Sequence, residues 1–189
     1  MQAESHFKEY CESIGRSLLS IDSHVLEQMA KTIQQVSNIG RKVIVIGNGG
    51  SAAIASHVAV DLTKAARIRA INFNEADLIT CYANDYGYEQ WIVEALESYA
   101  DKGDLAILIS SSGKSPNIVN GARKANEMGL ATMTFSGFDM HNPLRKLGDI
   151  NCWVDSSFYN VVEMTHQIWL LWVVDYLAAQ WETKMKATP

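Results

Sequence analysis

Val43-Ile44-Val45-Ile46 is an unbroken run of four β-branched residues, and it leads straight into Gly47-Asn48-Gly49-Gly50-Ser51-Ala52. A run without polar alternation fits a strand covered on both faces, as the inner strands of a parallel sheet are. The glycines mark a turn, and the residues from Ser51 onward have helical potential. Strand, glycine turn and helix N-terminus together make a place for an anion. The glycines let backbone approach it, and the first helical turn offers N–H groups that have no partner within the helix. A second unit of the same design follows: 105–109 is apolar, and Ser110-Ser111-Ser112-Gly113-Lys114-Ser115-Pro116 comes directly after it. Two such loops constrain the fold more than either does alone.

The pattern around these loops alternates. Strands are expected at 43–46, 68–73, 105–109, 131–135 and 150–154. Helices are expected between them at 51–66, 75–83, 88–100, 116–128 and, briefly, 142–147, with a long final helix over 158–181. Alternating strands and helices imply crossover connections and a parallel sheet. The fold class is therefore α/β, a three-layer α/β/α sandwich. Before the first strand, Phe7, Cys11, Ile14 and Leu18, then Val25, Met29, Ile33 and Val36, recur at helical spacing. They predict two amphipathic helices over 4–20 and 24–39, with Asp22 or Ser23 as cap and Gly40 as terminator of the second. A doubly wound sheet does not need them, so they are expected to pack on a subunit or form an interface. The final helix is apolar nearly all round over 161–174, which points to burial on several sides and to a subunit interface. The tail, 182–189, is expected to fray. The chain reads as one domain over 1–189, with 1–40 as packing helices and 41–181 as the α/β core.

The length of 189 residues is enough for one real core. A net charge of −5 argues against nucleic acid or a membrane surface as the main partner, since both call for a basic footprint. It does not oppose a small anion held by backbone dipoles. Cys11, Cys81 and Cys152 are odd in number and widely spaced, which fits a reducing compartment and buried small side chains better than a disulfide framework. No basic region followed by an apolar one opens the chain, and the most hydrophobic segment is too short to span a bilayer. The cytoplasm is the default expectation.

In open parallel sheets, ligands sit beyond the carboxyl ends of the strands where the strand order reverses. Ser51, Ser110, Ser111, Ser112 and Ser115 would there make a neutral hydroxyl pocket for a phosphate monoester; helix capping is the simpler reading of any one of them. Gly47-x-Gly49-x-x-Ala52, with Glu75 after the next strand, loosely fits a dinucleotide fingerprint, but that reading leaves the serine-rich loop unexplained. A nucleotide P-loop is rejected because its first glycine would fall at Leu108. His57 and Asp61 lie four apart on one helix face, where they can bind a metal, shuttle a proton or simply hydrogen-bond. Glu163 and His166 are the only ionisable side chains over 161–174, a setting that perturbs a buried group.

Taken together, Gly47-Asn48-Gly49-Gly50-Ser51-Ala52-Ala53, His57, Asp61-Leu62-Thr63, Asn84-Asp85-Tyr86-Gly87-Tyr88-Glu89 and Ile109-Ser110-Ser111-Ser112-Gly113-Lys114-Ser115-Pro116-Asn117 resemble the sugar isomerase (SIS) domain family. The nearest branch is the phosphoheptose isomerases, which act on sedoheptulose 7-phosphate. The resemblance covers nearly the whole chain. It implies a five-stranded parallel sheet, a homotetramer, and phosphosugar sites at subunit interfaces. The phosphate would be held by Ser51, Ser110, Ser111, Ser112 and Ser115, with Asn48, Gly49 and His57 also at the site. The family's catalytic glutamate corresponds to Asp61, one methylene shorter. On the last helix, Val162 stands at the family's glutamine, Leu170 at its catalytic histidine, and Thr165 at another frequent histidine. His166, one turn before Leu170, is the candidate substitute; the other reading makes it a structural or interface histidine. Some members bind zinc, but the companion ligands of His57 are missing here, so no metal or other cofactor is expected.

Three functions follow from the resemblance. One is a phosphoheptose-type aldose–ketose isomerase with an altered acid–base pair at Asp61 and His166, its activity expected to be reduced or altered because Leu170 and Val162 stand where the family has its catalytic histidine and glutamine. Another is a non-catalytic phosphosugar-binding adaptor that acts through a protein partner. The third is a related isomerase that uses His57, Asp61 and His166 on a different sugar phosphate.

Overall fold

A computed structural model describes residues 2–187. In chain order the elements are α1 (Ala3–Leu18), α2 (Ser23–Asn38), β1 (Val43–Gly47), α3 (Gly50–Lys64), β2 (Ala70–Asn72), α4 (Ala76–Tyr86), α5 (Trp91–Tyr99), β3 (Leu105–Ser110), α6 (Pro116–Glu127), β4 (Ala131–Ser136), a 3₁₀ turn (Leu144–Lys146), β5 (Ile150–Trp153) and α7 (Tyr159–Ala187). The five strands form one parallel sheet in the order β2-β1-β3-β4-β5. This is the expected α/β/α sandwich.

Successive side chains of a strand point to opposite faces, so each inner strand feeds two cores. Val43, Val45, Leu105, Ile107, Ile109 and Phe135 pack on one side with α2, α3 and α7. Ile44, Ile46, Ala106 and Leu108 pack on the other with α5 and α6, and with partly buried residues of α4. All of β1 and β3 is buried, as their unbroken apolar runs require. The edge strand β2 is only three residues long and half-buried, although 68–73 reads as strand: Ile68 and Phe73 are buried, but outside the ladder.

The helix boundaries follow local chemistry. The Asp22 carboxylate accepts the His24 N–H at the start of α2, and Gly40 follows its end with φ of +72°. Pro116 is the first residue of α6, where its missing N–H costs nothing.

The buried face of α2, with Met29, Ala30, Ile33 and Val36, is covered by its own chain, and α1 lies over α7 with no buried residue of its own. Two expectations are corrected. Helix α7 continues through 182–187, where fraying is expected; 188 and 189 lie outside the described residues. Of the three free cysteines, only Cys152 is buried, beside Met29, while Cys11 and Cys81 are exposed at the surface of their helices. The 29-residue α7 is also less enclosed than its composition suggests, because Met164, Ile168, Trp172 and Tyr176 form an exposed stripe.

At the amino ends of β1 and β3, opposite the serine loops, the fully buried Asp104 carboxylate is saturated. It accepts the Lys42 N–H at 3.0 Å and the Asp101 N–H at 2.8 Å, and it pairs with Lys42 Nζ at 2.6 Å. Removing it strands three donors around a partly buried ammonium. Asp104→Ala is expected to cost about 3–5 kcal/mol, read as a lower urea midpoint with an unchanged slope.

Candidate functional site

The winding of the sheet positions the site. From β1 the chain goes outward to β2, then crosses back to place β3 on the other side of β1. The crevice between the carboxyl ends of β1 and β3 is therefore the topological switch point. The register pairs Gly47 with Ile109, so the two loops emerge side by side. Ser51, Ser110, Ser111, Ser112 and Ser115 all line a single cavity of about 100 Å³, together with Asn48, Tyr159 and Glu163. That volume equals about three waters at about 30 Å³ each, the size of a compact polar group.

Hydrogen bonds hold the two loops in place. Asn48 and Asn117 exchange amide bonds, Nδ2 to Oδ1, at 3.0 and 2.9 Å, tying the β1 loop to the start of α6. The Tyr88 hydroxyl also donates to Asn48 Oδ1 at 3.3 Å. Ser110 Oγ donates to Ser115 Oγ across the second loop, and Ser112 Oγ accepts the Lys114 N–H. Gly113 has φ of +64°, and a methyl there would overlap the buried Asn142 side chain, so this turn requires glycine. Asn142 in turn donates to Ser136 Oγ and to the Gly137 and Asp139 carbonyls. Gly49 is the N-cap of α3 and shapes the turn rather than the cavity wall.

His57 and Asp61 lie outside this cavity, further along α3. His57 Nε2 is 3.1 Å from Asp61 Oδ2, and both side chains are partly exposed. A carboxylate only accepts, so in the neutral ring Nε2 carries the proton and Nδ1 is the acceptor. That acceptor takes a 2.8 Å hydrogen bond from Gln167 Nε2 on α7. Gln167, Glu163 and Tyr159 are four residues apart and share one face of α7. Gln167 is the contact of His57 that sequence reasoning missed. Nothing local marks it, because its partner is 110 positions away. Tyr159, on the cavity wall, was missed as well.

His166 is placed elsewhere. It is fully buried, its Nε2–H donates to the Ser136 carbonyl at 3.1 Å, and its ring stands edge-on to Phe135. It does not line the cavity. Val162 and Leu170, at the positions the resemblance gives to glutamine and histidine, are likewise buried core residues. Burial drives the His166 pKa down to about 4, against a smaller upward pull from the Ser136 carbonyl. Nδ1 has no hydrogen-bond partner among the described residues, as suits a neutral ring. Among the described residues, no three His, Cys, Asp or Glu side chains come together to hold a metal ion. His57 and Asp61 alone do not fit tetrahedral zinc.

This geometry defines a doubly wound α/β protein with a hydroxyl-lined cavity at its switch point. Residues 6–137 match the SIS domain family. The chain is 33% identical over 165 residues to the probable phosphoheptose isomerase of Thermoplasma volcanium, across 84% of this chain and 83% of that protein. The fold agrees with a phosphoheptose isomerase from Neisseria gonorrhoeae at a TM-score of 0.85 and 23% identity, covering 93% of this chain and 96% of the other. It also agrees with Vibrio vulnificus NanR, solved in complex with ManNAc-6P, at a TM-score of 0.71 and 16% identity, covering 95% and 64%. The chain belongs to the SIS domain family, in its phosphoheptose isomerase-like branch.

The low pKa of His166 has a consequence for stability. The fold favours the neutral ring, so the residue's contribution is complete above pH 6.5 and is lost as the pH falls toward 4. The loss is on the order of 3 kcal/mol. In His166→Gln, the drop in unfolding free energy between pH 7 and pH 4.5 is expected to be smaller than in the parent by about 2–3 kcal/mol, measured by urea titration at each pH.

Proposed function

We propose that the chain binds a sugar phosphate at the serine loops and interconverts its aldose and ketose forms, with Asp61 and His57 as the acid–base pair. The observation that carries this reading is the convergence of five serine hydroxyls, from loops after two adjacent strands, on one cavity at the switch point. The hydroxyls and the first-turn N–H groups of α3 receive the phosphate, as helix N-termini do. The carbon chain runs from the cavity along the α3–α7 seam, where Gln167, His57 and Asp61 follow. At a rise of 1.5 Å per residue, His57 lies about 9 Å along the helix axis from Ser51.

Isomerisation moves a proton between adjacent carbons and serves the two oxygens. Asp61 is the base for the carbon, and the Nε2–H of His57 orients it and supplies a proton to oxygen. Gln167 holds the ring that does this. His166 is left out of the chemistry because its ring is enclosed in the core. The exposed stripe of Met164, Ile168, Trp172 and Tyr176 supports association of copies through α7 into the homotetramer that the family resemblance implies. Three free thiols, two of them exposed, support residence in a reducing compartment.

Sedoheptulose 7-phosphate followed by NMR is expected to convert, and Asp61→Asn to stop the conversion. Gln167→Leu should lower kcat by about tenfold at unchanged KM, the size expected when a positioning hydrogen bond worth about 1 kcal/mol is lost. The Ser51→Ala/Ser111→Ala double variant should weaken binding by at least about tenfold in calorimetry. Binding without conversion would replace the isomerase reading with the adaptor one, and equal binding by the double variant would remove the phosphate site itself.

A further inference from the structure

Glu163 is the one charged side chain on the wall of the serine cavity among the described residues. No lysine or arginine among the described residues lines the same wall. Its Oε1 accepts a hydrogen bond from Ser111 Oγ at 3.3 Å, and Ser111 is its only hydrogen-bond donor among the described residues. The same carboxyl group lies against Gly50, the first residue of α3, so closely that a methyl group at Gly50 would overlap it. A side chain from α7 thus reaches across to the helix N-terminus and engages one of the five serine hydroxyls. Both features of the cradle, the hydroxyl and the positive end of the α3 dipole, favour negative charge. In this structure a carboxylate of the chain itself takes that place.

We infer that Glu163 is a resident anion of the cradle, which a phosphate monoester must displace in order to bind. The inference rests on reading the serine loops as a phosphate site, and it adds how that site is regulated. A phosphate monoester brings up to two negative charges to within a few ångströms of the Glu163 oxygens, and no cation on the cavity wall offsets the repulsion. The two groups also compete for Ser111 Oγ. Binding is therefore an exchange: the Ser111 hydroxyl passes from carboxylate to phosphate, and the half-buried Glu163 side chain swings off the α3 N-terminus. No covalent bond changes. The expected result is a cradle with a built-in threshold, weak toward free phosphate and productive only for ligands whose carbon skeleton adds contacts along the α3–α7 seam.

The amide of Glu163→Gln still accepts from Ser111 and keeps the shape of the side chain, so it removes the charge alone. Glu163→Ala removes charge and side chain together, and circular dichroism with thermal unfolding checks that each variant is folded. Inorganic phosphate is titrated by calorimetry at fixed pH and ionic strength into the parent, both variants and Ser111→Ala. Both Glu163 variants should bind at least tenfold more tightly than the parent, and Ser111→Ala more weakly. If the parent binds phosphate and neither Glu163 variant binds it more tightly, the resident-anion role is overturned while the cradle reading survives. If no form binds phosphate at any accessible concentration, both readings fall.

Discussion

The pairing of β1 with β3, in a register that sets Gly47 opposite Ile109, is the constraint on which the rest of the molecule depends. Each of the two loops alone is a strand end followed by a helix, a commonplace of α/β folds. Only the reversal of winding between β2 and β3 brings them to adjacent positions on the same edge. Adjacency turns five serines, separated by up to 64 positions (51 to 115), into one hydroxyl-lined wall. The reciprocal amide bonds of Asn48 and Asn117 then fix the spacing of the loops. The saturated Asp104–Lys42 cluster secures the opposite ends of the same two strands.

Helix α7 divides its surface among three environments. One face closes the core with Val162, His166, Leu170 and Val173, all buried. A second carries Tyr159, Glu163 and Gln167 toward the cavity and α3. A third leaves Met164, Ile168, Trp172 and Tyr176 exposed. At positions 162 and 170 a polar side chain would have to be enclosed among apolar neighbours without a partner, which is costly. Valine and leucine suit those positions in this core. The polar contact with α3 is made instead by Gln167, on the neighbouring face.

What the sequence revealed and what it hid divide along physical lines. The buried strands were legible because an apolar run with no alternation has few other uses. The two serine loops were legible because glycine and hydroxyl side chains after a strand are chemically specific. Their meeting in one cavity followed from the α/β order. The edge strand β2 was overextended because Ile68 and Phe73 are apolar for reasons of burial, not of pairing. The orientation of α7 was hidden, since a helix that is apolar on nearly every side has no preferred phase. For that reason His166 read as a possible acid–base group when it is a core residue. Gln167 gave no signal at all, because an amide at a helix surface acquires meaning only from the imidazole packed against it.

If the serine loops hold a phosphate, as proposed, they do so without a basic side chain among the described residues of the cavity wall. Oriented N–H dipoles and hydroxyls supply the attraction, and both act only at hydrogen-bond range. A lysine in that wall would attract any anion from a distance and bind it with little regard for shape. With Glu163 present, the long-range term turns repulsive while the short-range terms stay attractive. Discrimination then falls to ligands that can satisfy the directed donors and bring further contacts of their own. The side chain that weakens the cradle for phosphate alone is, on this account, the one that makes it selective for phosphate attached to a sugar.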